Sequence, residues 1–172
     1  MVKSKKETGS HLEIKRILVP TDFSECSRKA EECAGSIAKV FKAEIFLLHV
    51  MELASYSVVT SWIQPPCPFD LREGLVEMTR KQANKLKESG IEAEGYCISG
   101  VPSIEILKAV EEYAIDLVVM GTHGRTGLAH ILLGSTAERV IQRVQCPVLT
   151  IKEKERTGSV AQFGLFSGMV LK

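Results

Sequence analysis

Apolar residues recur in two rhythms along this chain: short unbroken runs, and longer stretches in which they return every three or four positions. The first run, Ile14 to Val19, is rich in branched residues and stops at Pro20, which predicts a buried strand. Thr21-Asp22-Phe23-Ser24 has the composition of a turn and places Ser24 to cap a helix. Ala30, Cys33, Ala34, Ile37, Ala38 and Phe41 then form one stripe at helical spacing, opposite Arg28, Lys29, Glu32 and Lys39. Glu44 to Met51 predicts a second strand. Glu52 to Phe69, with Trp62 and prolines 65, 66 and 68, has no period and is expected to be a long surface loop. A helix follows over Leu71 to Ser89, with Leu75, Met78, Ala83 and Leu86 inward and Gly90 as its stop. Ile91 to Ser99 is a third strand, and a third helix after Gly100-Val101-Pro102-Ser103 carries Ile104, Leu107, Val110 and Tyr113. Asp116 to Met120 is uniformly apolar after its first residue, as expected of a central strand. A short helix, Ala137 to Val144, and a last strand, Pro147 to Ile151, complete the pattern.

Strands alternating with helices predict an α/β fold: a single doubly wound, Rossmann-like, five-stranded parallel sheet with helices on both faces. One domain is expected over 14–153, between a flexible polar segment at 1–13 and an irregular, partly apolar tail at 154–172. Composition adds exclusions. Lys and Arg total 22 against 21 acidic residues, a net charge of +1, so nothing draws the chain to nucleic acid or an anionic membrane. No run of about 18 apolar residues could span a bilayer, and no apolar stretch follows the N-terminal lysines as in a secretory signal. Five scattered cysteines without a C-x-x-C pair suit free, mostly buried thiols in a reducing compartment, so a cytoplasmic protein is expected.

The candidate chemistry lies after the fourth strand. Met120 is followed by Gly121-Thr122-His123-Gly124-Arg125-Thr126-Gly127, and Gly134-Ser135-Thr136 leads into the next helix. Glycines let backbone approach a bulky anion, and successive amides make an anion-binding concavity. A helix N-terminus adds free N–H groups and a positive dipole end. The Ser135 and Thr136 hydroxyls can donate to phosphate or cap the helix, and Arg125 adds a charge suited to a terminal phosphate. Glycines after a strand often only make a turn, and Ser-Thr before a helix is often only a cap. The conjunction of two glycine clusters, a strand end, a helix start and two hydroxyls favours phosphate binding. No lysine precedes Ser135, so this is not a Walker A loop; nor does G-x-G-x-x-G follow the first strand. Asp22 suits turn capping and binding equally. His49, inside an apolar strand, reads as a hydrogen-bonded core residue. His123 can reach phosphate or face water, and His130 reads as structural or surface.

The run Ile17-Leu-Val-Pro-Thr-Asp-Phe-Ser24 and the spacing Gly121-x2-Gly124-x9-Gly134-Ser135 resemble the universal stress protein family, in its ATP-binding class, over residues 14 to 153. The resemblance implies that Asp22 and the backbone at Pro20 and Thr21 face a nucleoside, and that the Val50 backbone meets the adenine edge. It implies that Met120, Gly121, Thr122, His123, Gly124, Arg125 and Thr126, with Gly134, Ser135 and Thr136, hold ribose and phosphates. The cofactor would be ATP, or AMP or ADP, with Mg2+ bridging phosphates and no protein metal ligand. A homodimer through Pro147 to Ile151 is also implied. The expected function is a stress-response nucleotide sensor with at most slow hydrolysis, since no catalytic acid or base stands out. An ATP-hydrolysing or adenylyl-transfer enzyme of related topology and a nucleotide-free dimeric scaffold are the alternatives.

Overall fold

The computed structural model describes residues 13–52, 68–122 and 133–152, with backbone alone for 68–71. The expectations for the N-terminal segment, most of the 52–69 loop and the C-terminal tail therefore lie outside the described residues. In chain order the elements are β1 (Arg16–Pro20), α1 (Glu25–Phe41), β2 (Glu44–Met51), α2 (Pro68–Glu88), β3 (Ala93–Ser99), α3 (Pro102–Glu112), β4 (Leu117–Gly121), α4 (Ser135–Arg143) and β5 (Val148–Ile151). Every strand pairing is parallel, in the order β3-β2-β1-β4-β5. This is the doubly wound sheet that the sequence predicts.

Alternation along the strands builds two cores. Ile17, Val19, Ile45, Leu47, Leu117 and Val119 face Ala30, Ala34 and Ala38 of α1 and Ala83 and Leu86 of α2. Leu18, Phe46, Leu48, Val118 and Met120 face Ile106, Ala109 and Val110 of α3 and Ala137 and Val140 of α4. Helices thus cover both faces. Ser24 caps α1, accepting the Ser27 amide, and Lys42 in left-handed conformation ends the helix.

Three helix faces differ from the periodic reading. Phe41 is exposed because it sits in the last turn of α1, where Lys42 already redirects the chain. On α2 the buried position is Thr79, not Met78, which is 47% exposed. The Thr79 hydroxyl donates to the Leu75 carbonyl at 2.8 Å, so burial leaves it satisfied. A small residue is required there, because the Thr79 backbone lies against Gly95 of β3. On α3 the stripe runs through Ser103, Ile106, Ala109 and Val110, leaving Ile104 exposed. The thiols also differ: among the described cysteines Cys26 is buried, whereas Cys33, Cys97 and Cys146 are half-buried.

Glu31 lies on α1 one turn before Gly35, the position that faces Leu86 of α2 and Ile91. Burial pushes its carboxyl up to about 7 from the ordinary 4.5, assisted by Glu32 and opposed by Lys85. The folded state therefore holds this proton more tightly than the unfolded chain, and its contribution to stability falls as pH rises from 4.5 through 7. Glu31→Gln removes the titration and should stabilise the protein at pH 8 by about 1 kcal/mol, after allowance for solvent screening. Urea midpoints of both proteins at pH 5 and pH 8 check this; a variant no more stable than wild type at pH 8 would contradict it.

Candidate functional site

The sheet changes winding direction between β1 and β4: β2 and β3 lie to one side of β1, and β5 lies beyond β4. At such a switch point the following loops part, leaving a crevice at the carboxyl ends of the strands. Here the strands part as well. Their register runs only through Ile17↔Leu117 and Leu18↔Val118, although β1 continues to Pro20 and β4 to Gly121. The Thr21 amide donates to Leu48 on the β2 side, so by alternation position 20 faces β4. Proline has no N–H to offer there.

Beyond Pro20 the backbone forms a tight turn. Thr21 is buried and its hydroxyl accepts the Phe23 amide at 3.1 Å. Asp22 accepts the Ser24 amide at 3.1 Å, so it does cap this turn, while its side chain remains half-buried at the rim. Phe23 takes φ of +64°, a conformation that L residues rarely adopt outside tight turns. Its ring packs on His49 with centroids 4.5 Å apart. His49 is buried, and its Nδ1 lies 2.8 Å from the Thr21 carbonyl. A carbonyl only accepts, so Nδ1 carries the hydrogen. The reading of His49 as a hydrogen-bonded core residue is thereby met.

Val50 lies on the β1 side of its strand. Glu44 and Leu48 bond toward β1, whereas Ile45 and Met51 bond toward β3, which fixes the parity of the intervening residues. The Val50 N–H and C=O therefore point toward β1, past the last β1 residue in register with β2, Pro20.

At the end of β4, a Cβ on Gly121 would come within 2.8 Å of Cys26 Sγ, so glycine permits the first turn of α1 to close on the strand. Cys26 also donates its thiol to the Ile151 carbonyl at 3.2 Å. Buried Thr122 donates its amide to that same carbonyl and accepts the Gly134 amide at 2.6 Å. The two ends of the glycine-rich segment are therefore bonded together. Gly134 is the N-cap of α4, extended at φ −69° and ψ 151° and without a side-chain cap bond. This corrects the capping expectation for Ser135 and Thr136: both are already helical, Ser135 exposed and Thr136 half-buried. The first turn bond of α4 runs from Glu138 to Gly134, so the Ser135, Thr136 and Ala137 amides have no partner within the helix.

Of the site residues expected from sequence, Pro20, Thr21, Asp22, Val50, Met120, Gly121, Thr122, Gly134, Ser135 and Thr136 fall on the carboxyl rim of the sheet. The Met120 side chain turns into the core. His123, Gly124, Arg125 and Thr126, with His130, lie outside the described residues. Cys26 and His49 are the supports that sequence reasoning did not assign to the site. A separate cavity of about 240 Å³ lies at the opposite rim, lined by Leu107, Val110, Ile115, Val144 and Cys146 among others. It belongs to the helix ends there and not to the crevice. Among the described residues no group of three His, Cys, Asp or Glu could hold a metal ion, and no helix is long and apolar enough to cross a membrane.

Residues 13–152 match the model of the universal stress protein family. Universal stress protein MJ0531 of Methanocaldococcus jannaschii is 38% identical over 145 residues, covering 83% of this chain and 84% of that protein. Among solved structures, hypothetical protein MJ0577 superposes with a TM-score of 0.70 at 32% identity, covering 83% of this chain and 99% of that one. A universal stress protein from Archaeoglobus fulgidus, solved in complex with dAMP, shares the fold at a TM-score of 0.58 and 17% identity, covering 83% of this chain and all of its own.

Proposed function

Because the chain belongs to the universal stress protein family, we propose that it binds ATP in the crevice between β1 and β4 and acts as a nucleotide sensor. The observation that carries this reading is the bond from Gly134 to Thr122, which anchors the amide-bearing start of α4 at the end of β4. Phosphate oxygens would accept from the Ser135, Thr136 and Ala137 amides and from the two hydroxyls, at the positive end of the helix dipole. Arg125 and Gly124 would contribute from the intervening segment, as the family pattern implies. The Val50 N–H and C=O offer one donor and one acceptor, matching the N1 acceptor and N6 donor of adenine. Asp22 and Thr21 would border the ribose. The dAMP complex of the Archaeoglobus protein supports the reading, since that protein holds an adenine nucleotide on the same fold.

Mg2+ would be carried by the phosphates, because the nearest protein donors are hydroxyls rather than a set of carboxylates. Hydrolysis needs a group that positions or deprotonates water. Of the carboxylates near the rim, Asp22 accepts the Ser24 amide at 3.1 Å and Glu138 accepts from Gln142 at 3.4 Å. Calorimetric titration should show saturable binding of ATP below about 1 mM, the upper range of ordinary nucleotide sites. Phosphate release should stay below about one turnover per second. Faster release would replace the sensor with an enzyme.

Pairing of two chains through β5 is part of the same reading. Of the two sheet edges, β3 carries Glu94 and exposed positions, whereas β5 is Val-Leu-Thr-Ile and half-buried throughout. An apolar edge of this kind calls for cover. Sedimentation at micromolar concentration should show a two-chain species, and a monomer would remove this part.

A further inference from the structure

In a parallel ladder the carbonyl that follows each amide bond accepts from the residue two positions on. The Thr21 amide donates to Leu48, so the next bond would run from the Val50 amide to the Thr21 carbonyl. Among the described residues that bond is not made. The Thr21 carbonyl accepts from His49 Nδ1 instead, at 2.8 Å. The imidazole is held for this: it is 3% exposed and packed against the Phe23 ring. Phe23 itself takes the left-handed conformation that turns the chain away from β2.

Resting on the nucleotide-binding reading above, we propose that His49 is a specificity-setting residue: by taking the Thr21 carbonyl it ends the β1–β2 ladder one bond early and leaves the Val50 amide to read the N1 position of a 6-aminopurine. Adenine presents an acceptor at N1 and satisfies that amide. Guanine presents N1–H, which sets donor against donor and leaves both unsatisfied. His49 never touches the ligand; it positions the group that does.

The test compares ATP with 1-deaza-ATP, in which a C–H replaces the N1 acceptor, by calorimetry on the full chain. Wild type should bind ATP about tenfold more tightly than the analogue, the worth of one hydrogen bond. His49→Phe keeps the ring against Phe23 and loses the donor, so its ratio should fall to about one. His49→Asn returns a donor and should restore most of the preference. A wild-type protein that binds both ligands equally overturns the proposal without any variant, as does a His49→Phe protein that keeps the tenfold ratio. Should wild type bind neither ligand, the nucleotide reading itself fails, a result distinct from equal binding.

Discussion

Gly134→Asp is expected to weaken ATP binding by about a hundredfold while leaving the melting temperature unchanged or slightly raised. Gly134 is the N-cap of α4 with ordinary extended angles, so glycine is not demanded there by conformation. Aspartate is among the best N-cap residues, and its carboxylate would accept an amide of the first helical turn. Those amides are the ones assigned to phosphate. The substitution would therefore occupy the donors and set a negative charge against the polyphosphate. At a few ångströms in a partly screened site this repulsion amounts to about 2–3 kcal/mol, or roughly a hundredfold in affinity. Titration calorimetry paired with a thermal scan separates the outcomes. Unchanged affinity in a folded variant would place the phosphates elsewhere.

Gly95→Ala should be the most damaging small change to the fold, destabilising it by about 2–3 kcal/mol. A methyl group at Gly95 would lie 2.8 Å from the Thr79 carbonyl oxygen and 3.0 Å from its carbon. Both atoms belong to helix backbone, so α2 as a whole would have to retreat from β3. Gly74 provides the contrast, because nothing lies within 4 Å of its added Cβ. Gly74→Ala should stabilise the helix by about 0.5–1 kcal/mol. Urea unfolding of the two variants beside wild type reads both effects, and equal midpoints for all three would show that α2 is not seated on β3 in this way.

The contrast between these glycines explains what the sequence could tell. Strands were legible because buried parallel strands are unbroken apolar runs, as in Ile45 to Leu48, all buried. Helix faces were less so. A periodic reading favours the larger apolar residue and chooses Met78, yet the space above Gly95 admits only a residue whose backbone can come close, which is Thr79. The same limit applies to α3, where Ile104 and Ile106 both fit a helical stripe and only packing against the sheet selects Ile106.

At the site, the glycine spacing and the Pro20-Thr21-Asp22 turn were visible because they are local patterns. The bond between Thr21 and His49 spans 28 positions, and that between Cys26 and Ile151 spans 125. Both depend on the register of neighbouring strands, which no local pattern contains. Ser135 and Thr136 resembled caps because hydroxyl residues so often precede helices, whereas extended Gly134 performs that role and leaves the two hydroxyls to the rim.

The most direct measurement is amide-resolved NMR of the full chain titrated with ATP and Mg2+. Saturable shifts are expected at Thr21, Asp22, Val50, Thr122, Ser135, Thr136 and Ala137, on the carboxyl rim of the sheet. Shifts confined to Leu107, Val110, Val144 and Cys146 at the opposite rim, or none at millimolar ATP, would contradict binding in the crevice.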